Sequence, residues 1–312
     1  MRRRPHAAAA APTLLLLLAV LAACTGTGPP GSSASGPARS PHGTAAPGTA
    51  EPPARTTPPE EPDPADGAGT PRPTGGTGSA ARWRPRPGLT WQWQLDGRVD
   101  TSVDADVYDI DAFENDAADV ARLHRAGRKV ICYVNAGAWE DYRPDRDAFP
   151  RSVLGAPNGW HGERWLDIRR LEVLRPLMER RFDMCRDKGF DAVEPDLLEG
   201  YAADTGFPLT AQDQLAYNRM IAEIAHERGL AVGLKNDLAQ IPQLIDHFDF
   251  AVNEECAQYD ECALLEPFVA AGKAVFHVEY EQPVRAFCPQ AEAMRFSSML
   301  KRPQLDAWRA PC

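Results

Sequence analysis

Between positions 25 and 82 the chain contains no Leu, Ile, Val, Met, Phe, Tyr or Trp. Pro, Gly, Ser, Thr and Ala with scattered charges fill the segment, a composition that cannot bury enough apolar surface to offset the entropy of ordering. All seven tryptophans lie at or beyond Trp83, so any core must come from residues 83–312. That length suits one (β/α)8 barrel or one large sandwich. Residues 24–82 read as a linker, which as a flexible coil spans on the order of 40 to 45 Å.

The linker follows an export signal. Met1-Arg2-Arg3-Arg4 is basic, and Ala7 to Ala23 is almost wholly apolar, with five consecutive leucines from Leu14 to Leu18. A permanent membrane span needs roughly 20 apolar residues and no cleavage box. Here the run ends in Leu21-Ala22-Ala23-Cys24, the small-residue box of lipoprotein processing, so residues 1–23 are expected to be removed and Cys24 acylated. A plain secretory signal ending near a cysteine is the competing reading. Two acyl chains suffice for stable anchoring. The expected location is extracellular, on the cell envelope, with the membrane as a partner through the lipid.

With Cys24 set aside, Cys132, Cys185, Cys256, Cys262, Cys288 and Cys312 remain. An even count in an exported chain favours disulfides, although six cysteines can pair in fifteen ways. We expect Cys132 with Cys185, Cys256 with Cys262, and Cys288 with Cys312. A zinc site is the competing reading, disfavoured because no paired CxxC or His spacing accompanies them; no cofactor is expected. The formal charge of −10 argues against nucleic acid, whose phosphates call for a basic face. A monomer is expected.

Short β-rich runs separated by helical periodicity signal βα units and a parallel sheet. Eight runs qualify as strands: 90–95, 107–110, 129–135, 164–168, 191–194, 231–235, 248–253 and 273–278. Helices are expected over 116–126, 171–188 and 211–228, each followed by a glycine, Gly127, Gly189 or Gly229. Eight strands is the closure number of a single TIM-type barrel, in which the active site lies at the C-terminal strand ends.

Those ends are polar and acidic. They present Gln92, Trp93, Gln94 and Asp96, then Asp109 and Asp111, Tyr133 and Asn135, Asp167, and Glu194 with Asp196. Lys235, Asn236 and Asp237 follow, then Asn253, Glu254 and Glu255, and finally His277 and Glu279. Glycoside hydrolysis uses such a rim: one carboxylic acid protonates the leaving oxygen while an ionised partner stabilises or attacks the oxocarbenium-like carbon. A single carboxylate is more often a solvated loop residue or a cap. Recurrence at the same edge of successive strands is what carries the signal.

The stretches Trp91-Gln92-Trp93-Gln94-Leu95, Cys132-Tyr133-Val134-Asn135-Ala136-Gly137, Gly189-Phe190-Asp191-Ala192-Val193-Glu194-Pro195-Asp196, Gly233-Leu234-Lys235-Asn236-Asp237 and Asn253-Glu254-Glu255-Cys256, with Tyr259 and Cys262, resemble glycoside hydrolase family 114, the endo-α-1,4-polygalactosaminidases. The resemblance runs in order from Trp91 to Tyr280. It implies a (β/α)8-type barrel that cleaves α-1,4-linked galactosamine in galactosaminogalactan-like polymers without a metal. Its catalytic Asp and Glu carry over onto Asp196 and Glu254. Glu194 stands where the family pattern has a first Asp, and Glu255 where it has Gln, so Glu194 and Glu255 remain rivals. Adjacent strand residues face opposite ways, and only one of Glu254 and Glu255 can face the lumen.

The remaining rim residues are candidates for binding substrate: Trp93 and Tyr133 by stacking, with a place in the barrel core as the competing reading, Asn135, Asn236 and Asn253 to sugar hydroxyls or amines, Lys235 by pairing with a catalytic carboxylate or else as a barrel-interior salt bridge, with Gln94 and Glu194 beside them. Asp109, Asp111, Asp167, Glu199 and Glu279 would make the cleft negative towards a cationic amino sugar. A non-catalytic carbohydrate-binding lipoprotein on the same fold, or a glycosidase for another glycan, are the alternatives.

Overall fold

The computed structural model describes residues 82–312; Cys24, the export signal and the linker up to position 81 lie outside them. Eight strands run parallel, each paired with its neighbours in chain order: β1 (Trp91–Gln94), β2 (Val107–Asp111), β3 (Lys129–Asn135), β4 (Ala192–Asp196), β5 (Ala231–Lys235), β6 (Phe250–Glu254), β7 (Val275–Glu279) and β8 (Ser297–Leu300). The sheet curls into a TIM-like α/β barrel, and a short strand, Ala310–Pro311, adds antiparallel to β8.

Three helices lie where the periodicity and caps put them: α1 (Ala117–Arg125), α2 (Leu171–Lys188) and α3 (Ala211–Glu227). Asp116 and Thr210 each close a capping box, satisfying first-turn N–H groups that otherwise lack partners. Gly189 ends α2 at φ 89°, a left-handed position glycine adopts without a Cβ penalty. No helix among the described residues is long and apolar enough to cross a membrane.

Two strand expectations need correcting. Residues 164–168 do not form a barrel strand: Glu163–Leu166 pairs antiparallel with Ala138–Glu140 and Leu154–Pro157, making a three-stranded sheet inserted between β3 and α2. Its apolar run was a sound strand signal, but no helix separates it from β3, so it never completed a βα unit. The eighth barrel strand is β8, whose Ser297 and Ser298 are buried polar residues and so carried no apolar signal.

Alternation along the strands separates two cores. Trp91, Trp93, Val107, Ile131, Ala192, Ala231, Phe250, Val252, Phe276, Val278 and Met299 fill the lumen, whereas Tyr108, Ile110, Val130, Val193, Leu234 and Val275 face the helices. Trp91 stacks on Trp93 (5.9 Å) and meets Phe276 (5.0 Å), and Phe276 meets Phe250 (5.7 Å). This aromatic floor fills the lower lumen, and the acidic groups with Lys235 cluster above it.

No ladder joins β1 to β8 among the described residues. Trp91 Nε1 instead reaches across to Ser297 O at the start of β8 (2.7 Å), and the segment after β8 bridges the rest of the seam, Gln92 Nε2 donating to Ala307 O (2.7 Å) and Leu95 N to Leu305 O (3.0 Å). At the opposite, N-terminal ends of the strands, Arg82 pairs with Asp249 (3.2 Å), Trp83 lies 6.4 Å from Phe250, and Pro85 O accepts from Ala274 N (3.0 Å).

All three expected disulfides are present: Cys132–Cys185, Cys256–Cys262 and Cys288–Cys312. The first closes the longest loop, 53 residues, tying β3 to α2. By the loop-entropy measure it contributes about 4 kcal/mol.

Candidate active site

Lumen-facing parity brings Glu194 and Asp196 from β4, Lys235 from β5 and Glu254 from β6 to one point. Lys235 Nζ lies 3.1 Å from Glu194 Oε1, 2.8 Å from Asp196 Oδ1 and 3.2 Å from Glu254 Oε2. Burial would strip the proton from this ammonium. An opposite charge at about 4 Å contributes on the order of 4 kcal/mol at an effective dielectric of about 20. Asp196, Glu254 and Glu194 together therefore outweigh burial and hold Lys235 charged well beyond its ordinary range.

Each carboxylate has a further partner. Asp196 Oδ2 accepts from Tyr133 OH (2.8 Å), Glu194 Oε2 from Trp93 Nε1 (3.0 Å), and Glu254 Oε1 from Tyr280 OH. Burial opposes ionisation of Asp196, but Lys235 and the Tyr133 hydroxyl override it and hold its carboxyl below the usual range. Both phenols stay protonated, pushed well up first by burial and then by the carboxylate each one faces. Glu254 keeps 27% of its side chain exposed and Asp196 17%, whereas Glu194 has none. The two that can meet a ligand are therefore Asp196 and Glu254.

Beneath them Asp109 is fully buried and neither of its oxygens meets a donor. Burial first, then the charge of Glu194, pushes its carboxyl well above the usual range. In its protonated form it becomes the donor towards Glu194, so the four carboxyls do not all carry charge. Glu199 behaves alike, raised to about 8 by burial and then by Asp196, and so adds no negative charge at neutral pH.

The backbone above the strands is strained. Leu197 (φ 61°), Asn236 (φ 50°), Asp237 (φ 47°) and Glu255 (φ 63°) occupy the left-handed region directly after β4, β5 and β6. Each such residue costs roughly 1–3 kcal/mol and persists where the surroundings over-determine it, typically at functional sites. A Cβ on Gly137 would meet Leu197 O at 2.0 Å, so only glycine lets the turn after β3 pass the turn after β4.

Asp237 is buried with one oxygen unpartnered, the other accepting from Asn218 Nδ2 (2.9 Å). Burial raises its carboxyl to about 8. A carboxyl raised on folding favours the fold below its unfolded value near 4 and loses that contribution as pH climbs through about 8. Asp237→Asn should accordingly raise the melting temperature more at pH 9 than at pH 5; an equal gain at both would contradict this.

Several rim residues sit elsewhere than expected. Gln94, Asn253 and Glu279 fall on the helix-facing side of their strands. Gln94 donates to Asp96 O (3.1 Å) and Arg98 O (3.0 Å), ordering the loop after β1. Asn253 Nδ2 meets Asn236 Oδ1 (3.3 Å), an oxygen that also accepts from Glu254 N (3.0 Å). Glu279 accepts from Ala257 N (2.8 Å) and meets His277 Nε2 (2.8 Å), whose Nδ1 meets Ser298 Oγ (2.9 Å). Asp167 follows the inserted sheet and is clamped by Arg169 (2.7 Å), while Asp111 is held by Arg143 (2.6 Å). Asn135 faces the lumen and donates to Glu163 Oε2 (3.4 Å). Tyr280 was not anticipated; its even spacing from Phe276 and Val278 places it on the lumen side.

His277 also lies within 4.8 Å of the sulfurs of Cys256 and Cys262, a spacing a metal could use. The disulfide between those cysteines removes both thiolates from such a role.

Two half-buried carboxylates that keep access to solvent and share one buried lysine, above an aromatic-floored barrel, define the equipment of a glycoside hydrolase. The family model of glycoside hydrolase family GH114 matches residues 73–312, and the chain belongs to that family. It is 42% identical to Ega3 of Aspergillus fumigatus, solved in complex with galactosamine, with a TM-score of 0.71 over 76% of this chain and 100% of that one. The glycoside hydrolase domain of PelA from Pseudomonas aeruginosa shares the fold at 16% identity, with a TM-score of 0.58 over 72% and 98% of the two chains. No curated protein matches the chain significantly.

Proposed function

We propose that this glycosidase hydrolyses α-1,4-galactosaminidic bonds in galactosaminogalactan-like polymers outside the cell, tethered through Cys24, with Asp196 and Glu254 as its catalytic carboxylates. The observation that carries the reading is the shared lysine. Asp196 Oδ1 and Glu254 Oε2 lie 2.8 Å and 3.2 Å from one nitrogen. Those oxygens are therefore no more than about 6 Å apart, which favours the short spacing of about 5 to 5.5 Å used by retaining enzymes over the 6.5 to 9.5 Å of inverting ones.

In this scheme Asp196, kept ionised by Lys235 and Tyr133, attacks the anomeric carbon. Glu254, the more exposed of the two, takes up a proton from solvent when substrate binds, leaving Lys235 paired with Asp196 and Glu194, and gives that proton to the leaving oxygen as the bond to the aglycone breaks. Water, deprotonated by Glu254, then displaces Asp196 and restores both groups. The 42% identity to a protein solved with galactosamine supports an amino-sugar substrate. So does the surplus of carboxylates over the single lysine, which suits a cationic sugar.

Residues 83–312 incubated with partially deacetylated α-1,4-galactosaminide polymer should release oligosaccharides whose first-formed reducing ends are α by proton NMR. Products that begin as β would overturn the retaining assignment. No product from this polymer, alongside turnover of another glycan, would overturn the substrate.

A further inference from the structure

Most carboxylates around the top of the lumen have a basic partner. Glu194, Asp196 and Glu254 share Lys235, while Asp111 and Glu140 meet Arg143 at 2.6 and 2.8 Å. Glu163 differs: among the described residues its carboxylate meets neutral donors only. Tyr142 OH donates at 2.7 Å, Asn158 Nδ2 at 2.9 Å and Asn135 Nδ2 at 3.4 Å. The carboxylate is oriented by these groups, yet its charge is left uncompensated.

Its position is close to the chemistry. Asn135 is the register partner of Asp196 across β3 and β4, so Glu163 stands one side chain away from Asp196. Within the inserted sheet Glu163 faces Glu140 directly. Like charges opposite one another destabilise a sheet, and a glutamine could accept both asparagine bonds on its oxygen while its amide donates to Tyr142, whose hydroxyl proton then turns to Glu140 Oε1 (2.9 Å). The fold therefore gains nothing from the charge of Glu163.

Aromatic surface adjoins it. Tyr142, whose hydroxyl rests on Glu163 and whose ring has Arg143 over one side (5.2 Å), is 46% exposed, and Trp160 is 61% exposed. Trp160 lies on the turn that Glu163 closes, its N–H held by Asn158 Oδ1 (3.1 Å) and its carbonyl accepting from Glu163 N (3.2 Å). An exposed ring offers the apolar face of a sugar a stacking surface, and an uncompensated carboxylate offers an ammonium its counter-charge.

We propose that Glu163, Tyr142 and Trp160 form a subsite beside the catalytic pair that takes the ammonium of a galactosamine residue other than the one being cleaved. This rests on the amino-sugar reading above. It makes Glu163 a specificity-determining residue: an unacetylated sugar fits there, and an N-acetylated one leaves the carboxylate without its partner.

The test compares kcat/KM on α-1,4-galactosaminide polymers of low and high acetylation for the wild type, Glu163→Gln, Glu163→Asp and Trp160→Ala. Glu163→Gln should lose roughly tenfold or more on the low-acetyl polymer, mainly through KM, and little on the high-acetyl one. Glu163→Asp should restore most of the preference, and Trp160→Ala should weaken both polymers alike. The KM of the wild type for the low-acetyl polymer should rise with salt more steeply than that of Glu163→Gln. An acetylation preference in Glu163→Gln equal to that of the wild type would overturn the subsite. Wild-type inactivity on both polymers would instead overturn the amino-sugar reading, and the ligand assigned here with it.

Discussion

Asp196→Asn and Glu254→Gln should each lower kcat by about 10³-fold or more, while circular dichroism and cooperative unfolding are retained. Both changes keep the shape of the side chain and remove the charge or proton that the chemistry uses. They should differ in their response to added nucleophile. With an activated aryl α-galactosaminide that needs little protonation, azide can take the place of the water that Glu254 would activate, so Glu254→Gln should regain turnover and Asp196→Asn should not form the same product. Full activity in either variant would mean that Glu194 or Glu255 holds the role instead.

The second large effect is expected at Lys235. Lys235→Met removes the cation that Glu194, Asp196 and Glu254 share, and breaking such an arrangement costs about 3–5 kcal/mol. The sign of its pH dependence follows from Asp196. In the wild type its carboxyl is depressed, so its contribution is present above the unfolded value and lost as pH falls through the folded one. Without Lys235, burial dominates and the same carboxyls are raised, so the variant should suffer least near pH 4 and most near pH 8. Denaturant midpoints at the two pH values measure this, and a stability gap that failed to widen with pH would refute it. Activity should fall as well, since Asp196 would no longer be held ionised.

Much of the fold was legible because chemistry and periodicity agreed. β3, β5 and α2 carry apolar spacing, a cap or a following glycine, and the structure places them at the expected residues. β8 was hidden because Ser297 and Ser298 look like loop residues, although both are buried and His277 bonds Ser298. The inserted sheet was misread because Trp165, Leu166 and Ile168 announce a strand without announcing which sheet it joins.

The site was legible to the level of strand ends and less so to the level of faces. Asp196, Lys235 and Glu254 share a parity along their strands and converge, whereas Gln94, Asn253 and Glu279 have the opposite parity and turn away. Applying alternation from the buried aromatics outward, from Trp93, Phe250 and Phe276, would have separated them. Tyr280 would have emerged from the same rule. Glu163 could not have been found that way, since its approach to Asn135 depends on how the inserted sheet folds back over the barrel.

The attachment at the other end of the barrel has a mechanical consequence. Arg82 and Trp83 are fastened to Asp249 and Phe250, under the floor, and Pro85 holds the strand start at Ala274. A pull arriving along the chain from before position 82 is borne there first, by an ion pair, a ring contact and a backbone hydrogen bond. The strand ends that carry Asp196 and Glu254 lie at the far side of the aromatic floor, so with the tether and the catalytic pair proposed above, tension and turnover would fall to different ends of the same eight strands.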